Sequence, residues 1–204
     1  MTRRLARTTL AVFVLASLSP IAHAQMGGGA DMGSNRMISI GIGGGVSVPL
    51  SDANNVYETG FNGQGFVRFN LHQLPIQPRV DFTFSTFDMK DSKLHTPGAS
   101  GTGQVFAGLA NVQFNFMHSG PVRPYIVAGL GAYSSKTDIS GIPNESGSSS
   151  STDFGINAGG GFVFKLGSAV SGYVEGRIDN VYTDGGFVST DQVKMIPVTF
   201  GLVF

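Results

Sequence analysis

The chain has 204 residues, with 30 Gly, 9 Pro, 16 Phe and 5 Tyr, and contains neither Cys nor Trp. Charged residues make up 13% of it, well below the usual share for a soluble domain, and basic and acidic residues are tied at 13 each. Without cysteine there is no disulfide framework, thiol nucleophile or Cys-ligated metal centre. The sparse, balanced charge does not fit a nucleic-acid partner, and glycine shows no collagen-like period of three.

The first 24 residues, MTRRLARTTLAVFVLASLSPIAHA, carry Arg3, Arg4 and Arg7 ahead of an apolar run from Leu10 to Leu18. Ala22-His23-Ala24 follows as a small-x-small cleavage site, so 1–24 is predicted to be a signal peptide cut before Gln25. The apolar run is too short to span a bilayer, which takes roughly 20 helical residues. Removing the three arginines leaves 10 basic against 13 acidic residues, a mature net charge of −3. Residues 25–35, with Gly27-Gly28-Gly29, have no periodicity and are expected to be a flexible lead-in to a domain spanning 36–204.

From residue 36 onward the hydrophobic period is two, and frequent glycine disfavours helix by roughly 1 kcal/mol per residue. Eight strands are predicted, at 37–49, 61–69, 78–87, 102–117, 122–134, 153–166, 170–182 and 193–204. One face of every segment is apolar and uncharged: Ile38, Ile40 and Ile42 in the first, Phe82 and Phe84 in the third, Phe162 and Phe164 in the sixth. The opposite face holds Gly, Ser, Asn and Gln with few ionised groups, as in Asn62 and Gln64, or Asn111, Gln113 and Asn115. A solvated strand face normally carries more charge. The pattern fits a narrow polar lumen filled by small side chains, with its charges paired or hydrogen-bonded.

The connections 50–60, 88–101, 135–152 and 183–192 are long, and 70–77, 118–121 and 167–169 are shorter. Long loops on one side and short turns on the other is the outer-membrane arrangement, with the turns and both termini in the periplasm. Segment 135–152 is expected to be a mobile, solvated loop. Hydrocarbon admits no open sheet edge, and no later stretch is apolar enough for a spanning helix. The predicted fold is therefore all-β: an eight-stranded antiparallel up-and-down transmembrane β-barrel. At eight strands the interior is about wide enough for side chains to fill it.

The last strand, Lys194-Met195-Ile196-Pro197-Val198-Thr199-Phe200-Gly201-Leu202-Val203-Phe204, resembles the closing strand of bacterial outer-membrane barrels. Two internal stretches, Pro124-Tyr125-Ile126-Val127-Ala128-Gly129-Leu130-Gly131 and Gly155-Ile156-Asn157-Ala158-Gly159-Gly160-Gly161 followed by Tyr173-Val174-Glu175-Gly176-Arg177, are similar to small OmpA-like or opacity-like barrel domains. The resemblance covers roughly 36–204 and lacks the peptidoglycan-binding domain of full-length OmpA-type proteins. It implies that Phe200, Leu202 and Phe204 form the signal read by the barrel-assembly machinery, with periplasmic chaperones acting during biogenesis. It specifies no activity, since that superfamily holds adhesins, anchors and proteins of other roles.

Glu175 and Arg177 point inward at mid-strand, and with Arg79, Asp81 and Asp179 they are predicted to form a lumenal ion-pair network of structural purpose. Arg68, Arg79, Arg123 and Lys165 lie toward the turn ends of their strands and make the lower lumen electropositive, which keeps anion passage open as a lesser idea. His72, His95 and His118 have no spacing that aligns them with a nucleophile and an acid. His118-Ser119 does not match the His-x-Ser motif of outer-membrane lipid-A deacylases. Asp88, Asp91, Asp138 and Glu145 fit no metal-site spacing. Gly43-Gly44-Gly45 and Gly159-Gly160-Gly161 lack the phosphate-loop order.

No catalytic residue, cofactor or metal is therefore predicted. The expected protein is a monomeric outer-membrane barrel with a structural, envelope-maintenance or surface-interaction role, surrounded by outer-membrane lipid and binding no nucleic acid. A narrow porin-like channel, a soluble secreted barrel or binding module, and a lipid-modifying enzyme are the alternatives. Any extracellular ligand would be chosen by the loops, which show no motif that names it.

Overall fold

The computed structural model describes residues 36–50, 52–71, 74–90, 100–117, 119–140, 147–182 and 192–204. The expected signal peptide and lead-in, the three histidines His72, His95 and His118, and Asp91 and Glu145 lie outside the described residues. Eight strands run β1 (Ile38–Leu50), β2 (Gly60–Phe69), β3 (Ile76–Asp88), β4 (Ser100–Asn115), β5 (Val122–Ser140), β6 (Gly147–Lys165), β7 (Ser171–Tyr182) and β8 (Gln192–Val203). Each pairs antiparallel with its sequence neighbour, and β1 closes on β8 to complete the barrel. Closure removes the sheet edges whose unpaired N–H and C=O groups hydrocarbon would not tolerate. At the seam, Ile42 faces Leu202 and Gly44 faces Phe200, and the Ile40 and Phe204 backbones bond reciprocally.

Strict alternation decides which residues meet lipid. Ile40, Phe82, Phe106, Ile126, Phe162, Ile178 and Phe200 are all exposed on the outer wall, whereas Tyr125, Tyr133 and Tyr173 are buried within it. Side-chain direction reverses at each residue of a strand, so the inward set is fixed once one position is fixed. The uncharged face predicted for each strand is the outer face.

Four expectations need correction. Segment 135–152 is not one long loop: β5 and β6 continue to Ser140 and from Gly147, with Ser135 opposite Ser151 and Thr137 opposite Ser149. Hydroxyl side chains neither remove a ladder donor nor disfavour extended backbone, so the Ser/Thr-rich run pairs as readily as an apolar one. The outer face is uncharged only along the apolar belt; past it, Asp88, Lys136, Asp138 and Lys194 lie on the same face at the loop end, and Lys136 Nζ pairs with Asp138 Oδ2 at 3.1 Å. A one-turn helix, α1 (Asp52–Val56), forms in the first loop, where no helix was expected; Ser51-Asp52 is a helix-start signature too short to register as periodicity.

The fourth correction concerns the lumen, which holds large rings as well as small polar groups. On the turn side Phe66, Tyr125, Val127, Val163, Tyr173 and Val203 pack together. On the loop side Phe87, Ala107, Leu109, Tyr133, Val181 and Met195 form a second cluster, joined by Tyr57 and Val105. Tyr57 comes from the first loop and bonds Thr137 at 3.2 Å.

Glycine makes room for these rings. A Cβ on Gly41 would strike the Phe66 ring, and one on Gly161 would strike the Tyr125 phenol. Outward Gly108 and Gly176 have nothing within 4 Å of that position. Gly41→Val is therefore expected to lose about 1–3 kcal/mol of stability by overpacking, while Gly108→Val stays within about 0.5 kcal/mol. Reversible urea unfolding in lipid vesicles measures both.

Candidate functional site

Between the two apolar clusters lies a layer of charge. Arg79 on β3 and Glu175 on β7 meet across the lumen in a two-pronged pair, Nη1–Oε2 at 2.6 Å and Nη2–Oε1 at 3.1 Å. Arg79 Nε also donates to Asp81 Oδ1 at 2.8 Å, and its guanidinium stacks 3.7 Å above the Phe66 ring centre. Arg177 Nε stands 3.3 Å from Glu175 Oε1, and its Nη1 lies 3.8 Å from Asp81 Oδ1. Four of the five residues predicted for the network are thus joined. All five are buried.

Asp179, the fifth, lies at the next inward position beyond Arg177, opposite Asn157 on β6. Its Oδ1 has no hydrogen-bond partner among the described residues. Arg79 and Arg177 alternate with Asp81 and Glu175, so the joined charges cancel.

Neutral side chains complete the hydrogen bonding of the Asp81 and Glu175 carboxylates, a role that sequence reasoning had not assigned them. Gln64 Nε2 donates to both Asp81 Oδ1 and Glu175 Oε1 at 3.0 Å. Tyr125 donates to Glu175 Oε2 at 2.7 Å, and Asn111 donates to Asp81 Oδ2. Asn157 then donates to Asn111 Oδ1 at 2.9 Å. Inward parity was visible for Gln64 and Asn111; the contacts required the cross-strand register, which sets Phe66 beside Asp81 and Arg79 beside Asn111. Such saturation is what lets ionised groups persist away from water.

Asp81 and Glu175 are held by arginine, amide and phenol donors, while Asp179 Oδ1 stays unpartnered, and the described residues contain no group of three or more His, Asp or Glu placed to hold a metal ion. Of the predicted assembly signal, Phe200 and Leu202 face outward on β8, and these two and Phe204, just past the strand's end, are exposed.

Over residues 8–204 the chain matches the family described as outer membrane protein beta-barrel domain. That match begins inside the expected signal peptide. No curated protein sequence matches the chain significantly. Among solved structures it is similar to Neisserial surface protein A, at 15% identity and a TM-score of 0.59 over 82% of this chain and 96% of that one. It is also similar to a major outer membrane protein of Thermus thermophilus, at 14% identity and 0.59 over 82% and 97%. The attachment invasion locus protein of Yersinia pestis, in complex with a heparin analogue, gives 17% and 0.53 over 82% and 97%.

Proposed function

The chain belongs to the outer-membrane β-barrel family, and we propose that within it the protein serves as a closed barrel with a structural, envelope-maintenance or surface-interaction role. The observation that carries this is the Arg79–Glu175–Asp81–Arg177 layer, enclosed by aromatic residues on both sides. A solute crossing the lumen would have to displace Tyr125 and Tyr173, part a set of buried ion pairs, and displace Tyr133 and Leu109. Membership of the family implies an outer-membrane location. On this proposal the signal peptide is cleaved, the turn end faces the periplasm, the loops face outward and the barrel acts as a monomer. The exposed Phe200, Leu202 and Phe204 suit recognition by the assembly machinery, after delivery by periplasmic chaperones. No catalysis is assigned to it.

Planar-bilayer recording tests the closed state. The wild-type protein is expected to give no reproducible unitary conductance. Reproducible channels that disappear on changing Glu175 or Arg177 would overturn the proposal in favour of a narrow channel.

A further inference from the structure

The charged side chains at the turn-side mouth of the lumen are all positive. Arg68 on β2, Arg123 on β5 and Lys165 on β6 take inward positions there, and no Asp or Glu occurs within 36–44, 65–71, 74–80, 108–117, 119–129, 159–174 or 198–204, the described stretches toward this end. Arg68 is 8% exposed, and its Nε donates to the neutral Asn70 Oδ1 at 3.1 Å. Among the described residues no carboxylate side chain lies within ion-pair distance of it. Its partner across the strand pair is Arg79, already matched by Asp81 and Glu175, and Arg123 lies within Coulombic reach. A guanidinium nine-tenths buried beside a second arginine, reached by Glu175 only through a longer-range Coulombic attraction, lacks the direct ion pair that normally accompanies burial.

We propose that this mouth binds a phosphate group, held by Arg68 and Arg123 with Lys165 at the rim. Guanidinium groups match phosphate oxygens in geometry and charge. An anion here would offset the repulsion between the arginines, and the Phe66–Tyr125–Tyr173 cluster would stop it from going deeper. A lipid headgroup and a free ion present the same oxygens, and the experiment below separates the two sources. The inference concerns the mouth alone and does not depend on the role proposed above.

The test follows the arginine Nε–Hε resonances of the full chain in maltoside micelles, which contain no phosphate. Inorganic phosphate and short-chain phosphatidylglycerol are added separately, against chloride at matched ionic strength. Arg68 and Arg123 are expected to shift saturably while Arg177 stays still, and R123Q, at a half-buried site, is expected to weaken binding about tenfold. Response to inorganic phosphate alone supports a free-ion site, and response only to phosphatidylglycerol supports a headgroup site. Shifts that follow ionic strength alone, or affinity unchanged in both R123Q and K165Q, would overturn the proposal.

Discussion

Replacing Glu175 by alanine is expected to lower the unfolding free energy by about 3–5 kcal/mol, the usual cost of removing one partner from a buried pair. Arg79 would lose both of its bonds to Glu175, and Arg177, Gln64 and Tyr125 would each lose an acceptor. Asp81 alone would then face two guanidinium groups. Glu175→Gln should cost less, because an amide oxygen still accepts. Tyr125→Phe removes one charge-assisted hydrogen bond and should cost about 1.5–3 kcal/mol. Joint replacement of Arg79 and Glu175 by apolar residues of similar volume should cost less than either single change to alanine, since no orphan charge remains. Urea unfolding of the five variants, Arg79→Ala included, in lipid vesicles provides the check. A Glu175→Ala loss below about 1 kcal/mol would mean that the pair is hydrated and the lumen is open to water.

The outer wall was legible in the sequence because a single ionised side chain there would be costly, so every second position had to stay apolar. Ile40, Phe82 and Ile126 announce the lipid face without any knowledge of which strand lies beside which. The network was legible only in part. Glu175 and Arg177 were identifiable as inward charges, but pairing Glu175 with Arg79 brings β7 to β3 across the lumen, and local periodicity carries no information about that distance. Gln64 and Tyr125 were harder still: an amide and a phenol become ligands of a carboxylate only once closure places three strands around it.

The aromatic filling was missed for a related reason. Tyr133 occupies an inward position among glycines that read as thin wall, and a glycine such as Gly155 is thin because the Tyr133 ring lies against it. Small and large residues were visible singly, and their complementarity needed the register. The extensions of β5 and β6 escaped notice because Ser and Thr mark solvation and not the absence of backbone pairing.

Introducing arginine at the centre of the outer wall should have the second large effect. Ala128 lies between Val112 on β4 and Ala158 on β6, within the apolar belt. Ala128→Arg is expected to destabilise the barrel in lipid vesicles by about 2–4 kcal/mol, the midplane cost of a cation on a barrel's lipid face. Thr152→Arg puts the same charge on the same strand face as Ala158 but beyond the belt, near the Lys136–Asp138 pair, and should cost about 0–1 kcal/mol. The contrast depends on depth and not on the bulk of arginine. Equal costs at the two sites would contradict a membrane-spanning wall.

The absence of cysteine allows a direct test of the closed, membrane-embedded barrel. Single cysteines at Val127, Ala128 and Thr152 would be exposed to a charged, membrane-impermeant thiol reagent and, separately, to a lipid-soluble one, with the barrel folded in vesicles. Thr152→Cys is expected to react with the charged reagent, Ala128→Cys with the lipid-soluble reagent alone, and Val127→Cys with neither until the barrel is unfolded. Reaction of folded Val127→Cys with the charged reagent at the rate of Thr152→Cys would contradict the closed barrel, because water would then fill the lumen where the buried side chains should stand.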